Sequence, residues 1–233
     1  MKKRAFPFPM RRYERVLGLI YLPIHCVVLP LFIYSILALF GFSLSTPHTN
    51  LVYYAVGFLF LLISMWKYLK DTFSDFFDAF FRSVQAVILG FVFAFFLEIA
   101  LALALRYIFG VFENPNQAAV IHETRINANV MTIVAVLFAP VVEETLFRGV
   151  LFGSIRRRHR VLAYIVSALA FALYHEWQFA LFGQNWGTLI YGLQYLPASL
   201  AFAWCYEHSG SLWAPILAHA AINLIVTVSV GLT

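Results

Sequence analysis

The feature that most restricts this chain is its succession of long apolar runs. About seven of them reach the roughly 20 residues that a helix needs to cross a bilayer core: Val16–Phe42, Leu51–Tyr68, Val84–Phe109, Asn129–Phe152, Val161–Phe182, Thr188–Tyr206 and Leu212–Leu232. In lipid every backbone N–H and C=O must be satisfied within the protein, which leaves helices for runs of this kind. Of the 233 residues, 62% are apolar, against roughly 45–50% in a soluble domain. The expectation is therefore an all-α, polytopic transmembrane helical bundle of about seven spanning helices, one integral membrane domain over 1–233. An eighth, re-entrant segment would fall in the first 45 or so residues, where Pro23 and Pro30 interrupt the run. Pro140 is expected to kink the fourth span, with its freed carbonyl satisfied by a neighbour.

Charge orients the bundle. Lys2, Lys3, Arg4, Arg11, Arg12, Arg15, Lys67, Lys70, Arg82 and the cluster Arg156-Arg157-Arg158-His159-Arg160 fall on one side, and only Arg106 and Arg125 on the other. By the positive-inside rule the N-terminus is cytoplasmic. The net charge of +5 thus serves membrane orientation, and no nucleic-acid partner is expected. The first apolar run is too long for the core of a cleavable signal peptide and reads as a retained span. Lys67–Arg82, with Phe73, Phe76, Phe77, Phe80 and Phe81 among Asp71, Asp75 and Asp78, has the spacing of an amphipathic interfacial helix. Glu113–Ala128 is the longest outer connection. Cys26 and Cys205 lie in separate apolar runs and read as small buried hydrophobes.

Against this background three polar clusters stand out: Glu143-Glu144 with Arg148, His175 at the end of Phe171-Ala172-Leu173-Tyr174-His175, and His219 with Asn223. Ionisable groups at membrane depth are costly and point to function. Counting about 1.5 Å per residue from the helix ends places all three in the middle and inner part of the core. Glu144 and Arg148 are four residues apart and share a helix face, so they can pair. Glu143, turned about 100° from Glu144, is free to face another centre. A carboxylate, two imidazoles and an amide are the components for attack of water on a carbonyl. Singly, each His or Asn is more simply a hydrogen-bond bridge between helices, and Glu98 is open to either reading. His25, His48, His122, His159 and His208 fall near ends or loops and carry no evident role.

Glu143-Glu144-x-x-x-Arg148, Phe171-x-x-x-His175 and His219-x-x-x-Asn223 resemble the three motifs of the CAAX protease and bacteriocin-processing (Abi) family of intramembrane proteases. The approach Glu207-His-Ser-Gly-Ser-Leu-Trp-Ala-Pro-Ile-Leu-Ala-His219 is similar to that family too, so the likeness covers about 127–226. The resemblance implies a membrane endopeptidase acting on a peptide or membrane-anchored protein. Glu143 would activate water with His175 holding it, His219 and Asn223 would stabilise the oxyanion, and Glu144–Arg148 would support the helix. The family is usually labelled metalloprotease, and Glu143, His175 and His219 would then be the zinc ligands. Two His and one Glu suit catalytic zinc, and a Glu–His pair can equally activate water without metal. A non-catalytic immunity or regulatory protein and a small transporter are the rival readings. The membrane is expected to be a bacterial plasma membrane, with cleavage toward its cytoplasmic half.

Overall fold

The computed structural model describes residues 9–110 and 114–231. Lys2, Lys3, Arg4, Glu113 and Leu232, all invoked above, lie outside the described residues. The described residues form helices joined by short turns, with no strand among them. Nine α-helices follow in order: α1 Arg12–Phe40, α2 Thr46–Ser64, α3 Trp66–Asp78, α4 Phe80–Phe109, α5 Pro115–Ile126, α6 Ala128–Arg156, α7 Arg160–Phe182, α8 Leu196–Ser209 and α9 Trp213–Gly231. Six of these are long and apolar enough to cross a membrane: α1, α2, α4, α6, α7 and α9.

The sixth expected span, Thr188–Tyr206, is not one α-helix. It folds as a 3-10 helix, Trp186–Tyr195, followed by the 14-residue α8. Gly187 and Gly192 break helical propensity here, and Pro197 suits only the first turn of the helix that follows. The pair nevertheless returns the chain across the bundle. Glu207 near the end of α8 pairs with Arg156 and Arg160 at the α6–α7 junction. Among the described residues no separate eighth segment appears near the N-terminus, because α1 runs unbroken through a π-helical stretch, Ile24–Val28.

Contacts sort the helix ends into two rims. On the arginine-rich rim, Glu14 of α1 accepts from the Tyr68 N–H at 3.0 Å, capping the first turn of α3. On the same rim, the α8–α9 turn sits on α3, with Ser211 Oγ donating to the Thr72 carbonyl and Trp213 Nε1 to that of Leu69. On the opposite rim α5 links its neighbours. Asn50 of α2 donates to Glu123 at 2.6 Å, and Asn114 and Asn116 bond Gln194 and Tyr195. The expected long connection is thus largely helix, started by Asn114 accepting from the Gln117 N–H with Pro115 next, both favourable at a helix N-terminus.

The core sits around α6. In its most apolar stretch, 67% of α6 is buried within the protein, against 17% for α4 at the periphery. In lipid, helices associate through close packing more than through a hydrophobic drive. Gly90 of α4 illustrates this, since a Cβ there would overlap the Cys205 sulfur of α8.

Candidate active site

The site is built on an irregular part of α6. Two π-helical stretches, Ile133–Phe138 and Thr145–Phe152, flank the pair Glu143-Glu144. In the first, the Ala139 N–H reaches the Val134 carbonyl. The next amide in that register would serve Ala135, but it belongs to Pro140 and has no hydrogen to give. Asn223 of α9 fills the gap, its Nδ2 donating to the Ala135 carbonyl at 2.7 Å. One of the two amide hydrogens of Asn223 is therefore spent on the helix that carries Glu143, and the other remains.

Glu144 faces away from the cavity and is fully buried with Arg148. Its Oε1 accepts from Arg148 Nη1 and from His219 Nδ1, each at 2.9 Å. Arg148 Nη2 donates to Ser199 Oγ, and its guanidinium lies 4.2 Å from the Phe171 ring centroid. Burying two charges is costly unless geometry and further hydrogen bonds compensate, and here each charge has a second partner. Glu144 thus does more than pair with Arg148: it fixes an imidazole on another helix.

Glu143 turns toward the cavity. Its Oε2, buried and without a hydrogen-bond partner among the described residues, lies 3.8 Å from His175 Nε2 and 3.9 Å from His219 Nε2. Both imidazoles are oriented by their other nitrogen. His175 Nδ1 is 2.8 Å from the Phe171 carbonyl, an acceptor only, so Nδ1 carries the hydrogen. His219 Nδ1 likewise donates to Glu144. In the neutral rings both Nε2 lone pairs then face Oε2, the arrangement in which a second partner fixes the tautomer. Tyr195 stacks on His175 (centroids 4.3 Å apart) and Phe202 on His219 (4.9 Å). The 3-10 helix therefore matters locally, because its last residue clamps His175.

The separations of 3.8 and 3.9 Å are too long for direct hydrogen bonds and suit a water held by all three atoms. Three lone pairs exceed the two hydrogens of one water, so a further proton on the trio, or a cation, completes the set. For zinc, ligand atoms about 2.0–2.2 Å from the ion would lie roughly 3.3 Å apart in a tetrahedron. No three His, Cys, Asp or Glu among the described residues are placed to hold an ion. As positioned, the expected ligands Glu143, His175 and His219 do not fit zinc without closing up.

Residues outside the three motifs complete the surroundings. Tyr54 of α2 donates to Glu143 Oε1 at 2.7 Å, and Tyr174 lies 3.1 Å from Tyr54 and 3.0 Å from Tyr53. Tyr53 reaches the His25 carbonyl at 3.0 Å, and its ring stacks on the His25 imidazole (4.5 Å). His25 is thus no end-of-helix residue: it is fully buried in the π-helical part of α1. Sequence spacing could not flag these hydroxyls, because tyrosines are common in membrane helices and their direction depends on packing between α1, α2 and α7.

Glu143, His175 and His219 lie on the wall of a cavity of about 630 Å³ that also touches Glu98 and Asn223. Its lining extends to Thr46, Asn50, Glu123 and Gly183, on the rim opposite the arginine cluster. At that mouth, burial pushes the Glu123 carboxyl above the usual carboxylate range, against the opposing hydrogen bond from Asn50. Toward the arginine side the path is closed by packed Leu146, Phe147, Phe152, Tyr68 and Tyr206. The depth count put the cluster in the arginine-side half, yet the way to it opens from the other side. Counting residues measures depth and says nothing of which end of a bundle is plugged.

Residues 125–225 match the family model for type II CAAX prenyl endopeptidase Rce1-like proteins. The chain is 25% identical to the "Putative membrane peptidase YdiL" of Bacillus subtilis over 147 residues, 63% of this chain and 56% of that protein. It is 32% identical to the "UPF0177 protein YxdF" of Lactococcus lactis over 88 residues, 38% of this chain and 43% of that protein. The matched regions span about half the length of each relative. No solved structure matches.

Proposed function

With residues 125–225 matching the Rce1-like family model, we propose that the chain is a membrane endopeptidase in which Glu143 activates water. One observation carries this reading: a buried carboxylate oxygen without a hydrogen-bond partner among the described residues faces two pre-oriented imidazole nitrogens across a water-sized gap. Glu143 Oε2 takes a proton as the water oxygen bonds to the peptide carbonyl carbon. The same proton then passes to the departing amide nitrogen as the C–N bond breaks, leaving an amine and a carboxylic acid that ionises on release. His175, backed only by a neutral carbonyl, accepts from the water and orients it. His219, backed by Glu144, is the ring that holds the further proton on the trio, so that its Nε2–H donates to the oxyanion, in the manner of a carboxylate behind a histidinium. The remaining amide hydrogen of Asn223 is the second donor available to that oxyanion.

The arginine-rich rim is read as cytoplasmic by the positive-inside rule, so substrate enters from the opposite face or from lipid beside it. A transporter would need a path to both rims, and the lining of this cavity reaches one. The test is hydrolysis of a quenched-fluorescent peptide with an apolar anchor by purified protein in liposomes, with and without a chelator. Cleavage that Glu143→Gln abolishes and a chelator leaves intact is the expected result. Loss of activity with chelator, restored by zinc, would replace the metal-free route with closure of Glu143, His175 and His219 on an ion. Unchanged cleavage in Glu143→Gln would sink the assignment.

A further inference from the structure

The N-terminal third of the chain lies outside the matched segment, yet one of its side chains makes the shortest hydrogen bond to Glu143. We propose that Tyr54 is a positioning residue that holds Glu143 Oε1 so that Oε2 alone faces His175 and His219, with Tyr174 locking the direction of that bond. The kinetic half of this proposal rests on the peptidase reading; the bond itself does not.

Proton counting fixes the direction of the chain. An ionised carboxylate only accepts, so the single hydroxyl hydrogen of Tyr54 goes to Glu143 Oε1 at 2.7 Å. Tyr54 oxygen can then only accept from Tyr174, 3.1 Å away, which commits the Tyr174 hydrogen. Tyr53, 3.0 Å from both Tyr174 and the His25 carbonyl, has one hydrogen for two acceptors. When it points to Tyr174, three hydroxyls align toward one carboxylate, and such chains reinforce one another. The consequence is a division of the carboxylate. Oε1 is tied to α2 by the Tyr54 hydrogen, while Oε2, with no hydrogen-bond partner among the described residues, is left for the reaction. A freely rotating carboxylate would lose that preference.

Gly57, one turn along α2 from Tyr53 and Tyr54, makes the arrangement possible. A Cβ on Gly57 would stand 2.9 Å from His25 Cε1, tighter than real side chains tolerate, so the glycine sets how closely α2 approaches α1.

The experiment has two arms on the full-length protein. In liposomes with the quenched-fluorescent peptide, Tyr54→Phe should lower kcat by about 10–100-fold, the range seen when an outer partner of a site residue is lost. KM should stay within about twofold, and Tyr174→Phe should show a smaller fall of the same kind. In detergent, thermal unfolding of Tyr54→Phe, Glu143→Ala and the double variant should be non-additive, the Tyr54→Phe shift shrinking once Glu143 is gone. A raised KM with unchanged kcat, or additive shifts, would overturn the proposal. Non-additive shifts in a protein that cleaves no peptide would uphold the bond and count against the peptidase reading instead.

Discussion

The two halves of the molecule contribute to the site in different currencies. The C-terminal half supplies the titratable atoms: Glu143 and Glu144 from α6, His175 from α7 and His219 from α9. The N-terminal half supplies position, through the Tyr54 hydroxyl, the Tyr53–His25 stack and the close approach at Gly57. The chemistry-bearing half is also the one with the buried helix, whereas α4 has most of its surface turned outward. The difference teaches that reactive groups can be specified by short motifs, here one on each of three helices. The two imidazoles are aimed from within the C-terminal half, whereas the aim of Glu143 depends on a hydroxyl from α2, a helix with no motif at all.

That contrast can be broken or sharpened by substitution. The largest effect is expected at Glu143: Glu143→Gln keeps the shape and should lower peptide cleavage by ~10²–10⁴-fold, with helix content by circular dichroism unchanged. An N-terminal substitution with an equal loss of kcat in a folded protein would erase the distinction between halves. Next comes Arg148→Met, which leaves Glu144 charged in a dry interior and should cost about 3–5 kcal/mol of stability, read by unfolding in detergent. Adding Glu144→Gln should recover part of that loss, because the orphaned charge is removed.

A middle-sized effect is expected from the packing half. Gly57→Ala forces a methyl against His25 and should cost roughly 1–3 kcal/mol, with a fall in kcat as α2 is displaced. Asn223→Ala should cost a similar ~1–3 kcal/mol, because it leaves the Ala135 carbonyl without its donor. The smallest effect belongs to Tyr53→Phe, about 0.5–1.5 kcal/mol, since Tyr174 keeps its bond to Tyr54. A loss at Tyr53 as large as at Tyr54 would show that the hydroxyl chain acts as a unit.

The spans were legible because hydrophobic length is a local property, and five of the seven runs correspond to single long helices, with a sixth, α1, continuous through a π-helical stretch. The run Thr188–Tyr206 misled, since its apolar content hides Gly192, which with Gly187 just before the run favours a tighter 3-10 turn before Pro197. The i,i+4 pairing of Glu144 with Arg148 was readable for the same local reason. That Glu144 also holds His219, 75 residues away, was not.

By itself the sequence determined the helical membrane architecture, the orienting charge asymmetry and the identity of the polar groups worth examining, because each follows from composition, length or spacing along one segment. Only the tertiary structure decided that His175 and His219 turn their free nitrogens to the same oxygen of Glu143, that Asn223 repairs the helix broken by Pro140, and that the cavity opens away from the arginine cluster. These depend on how helices far apart in sequence rotate and pack against one another. A periodicity read along one helix does not contain that angle.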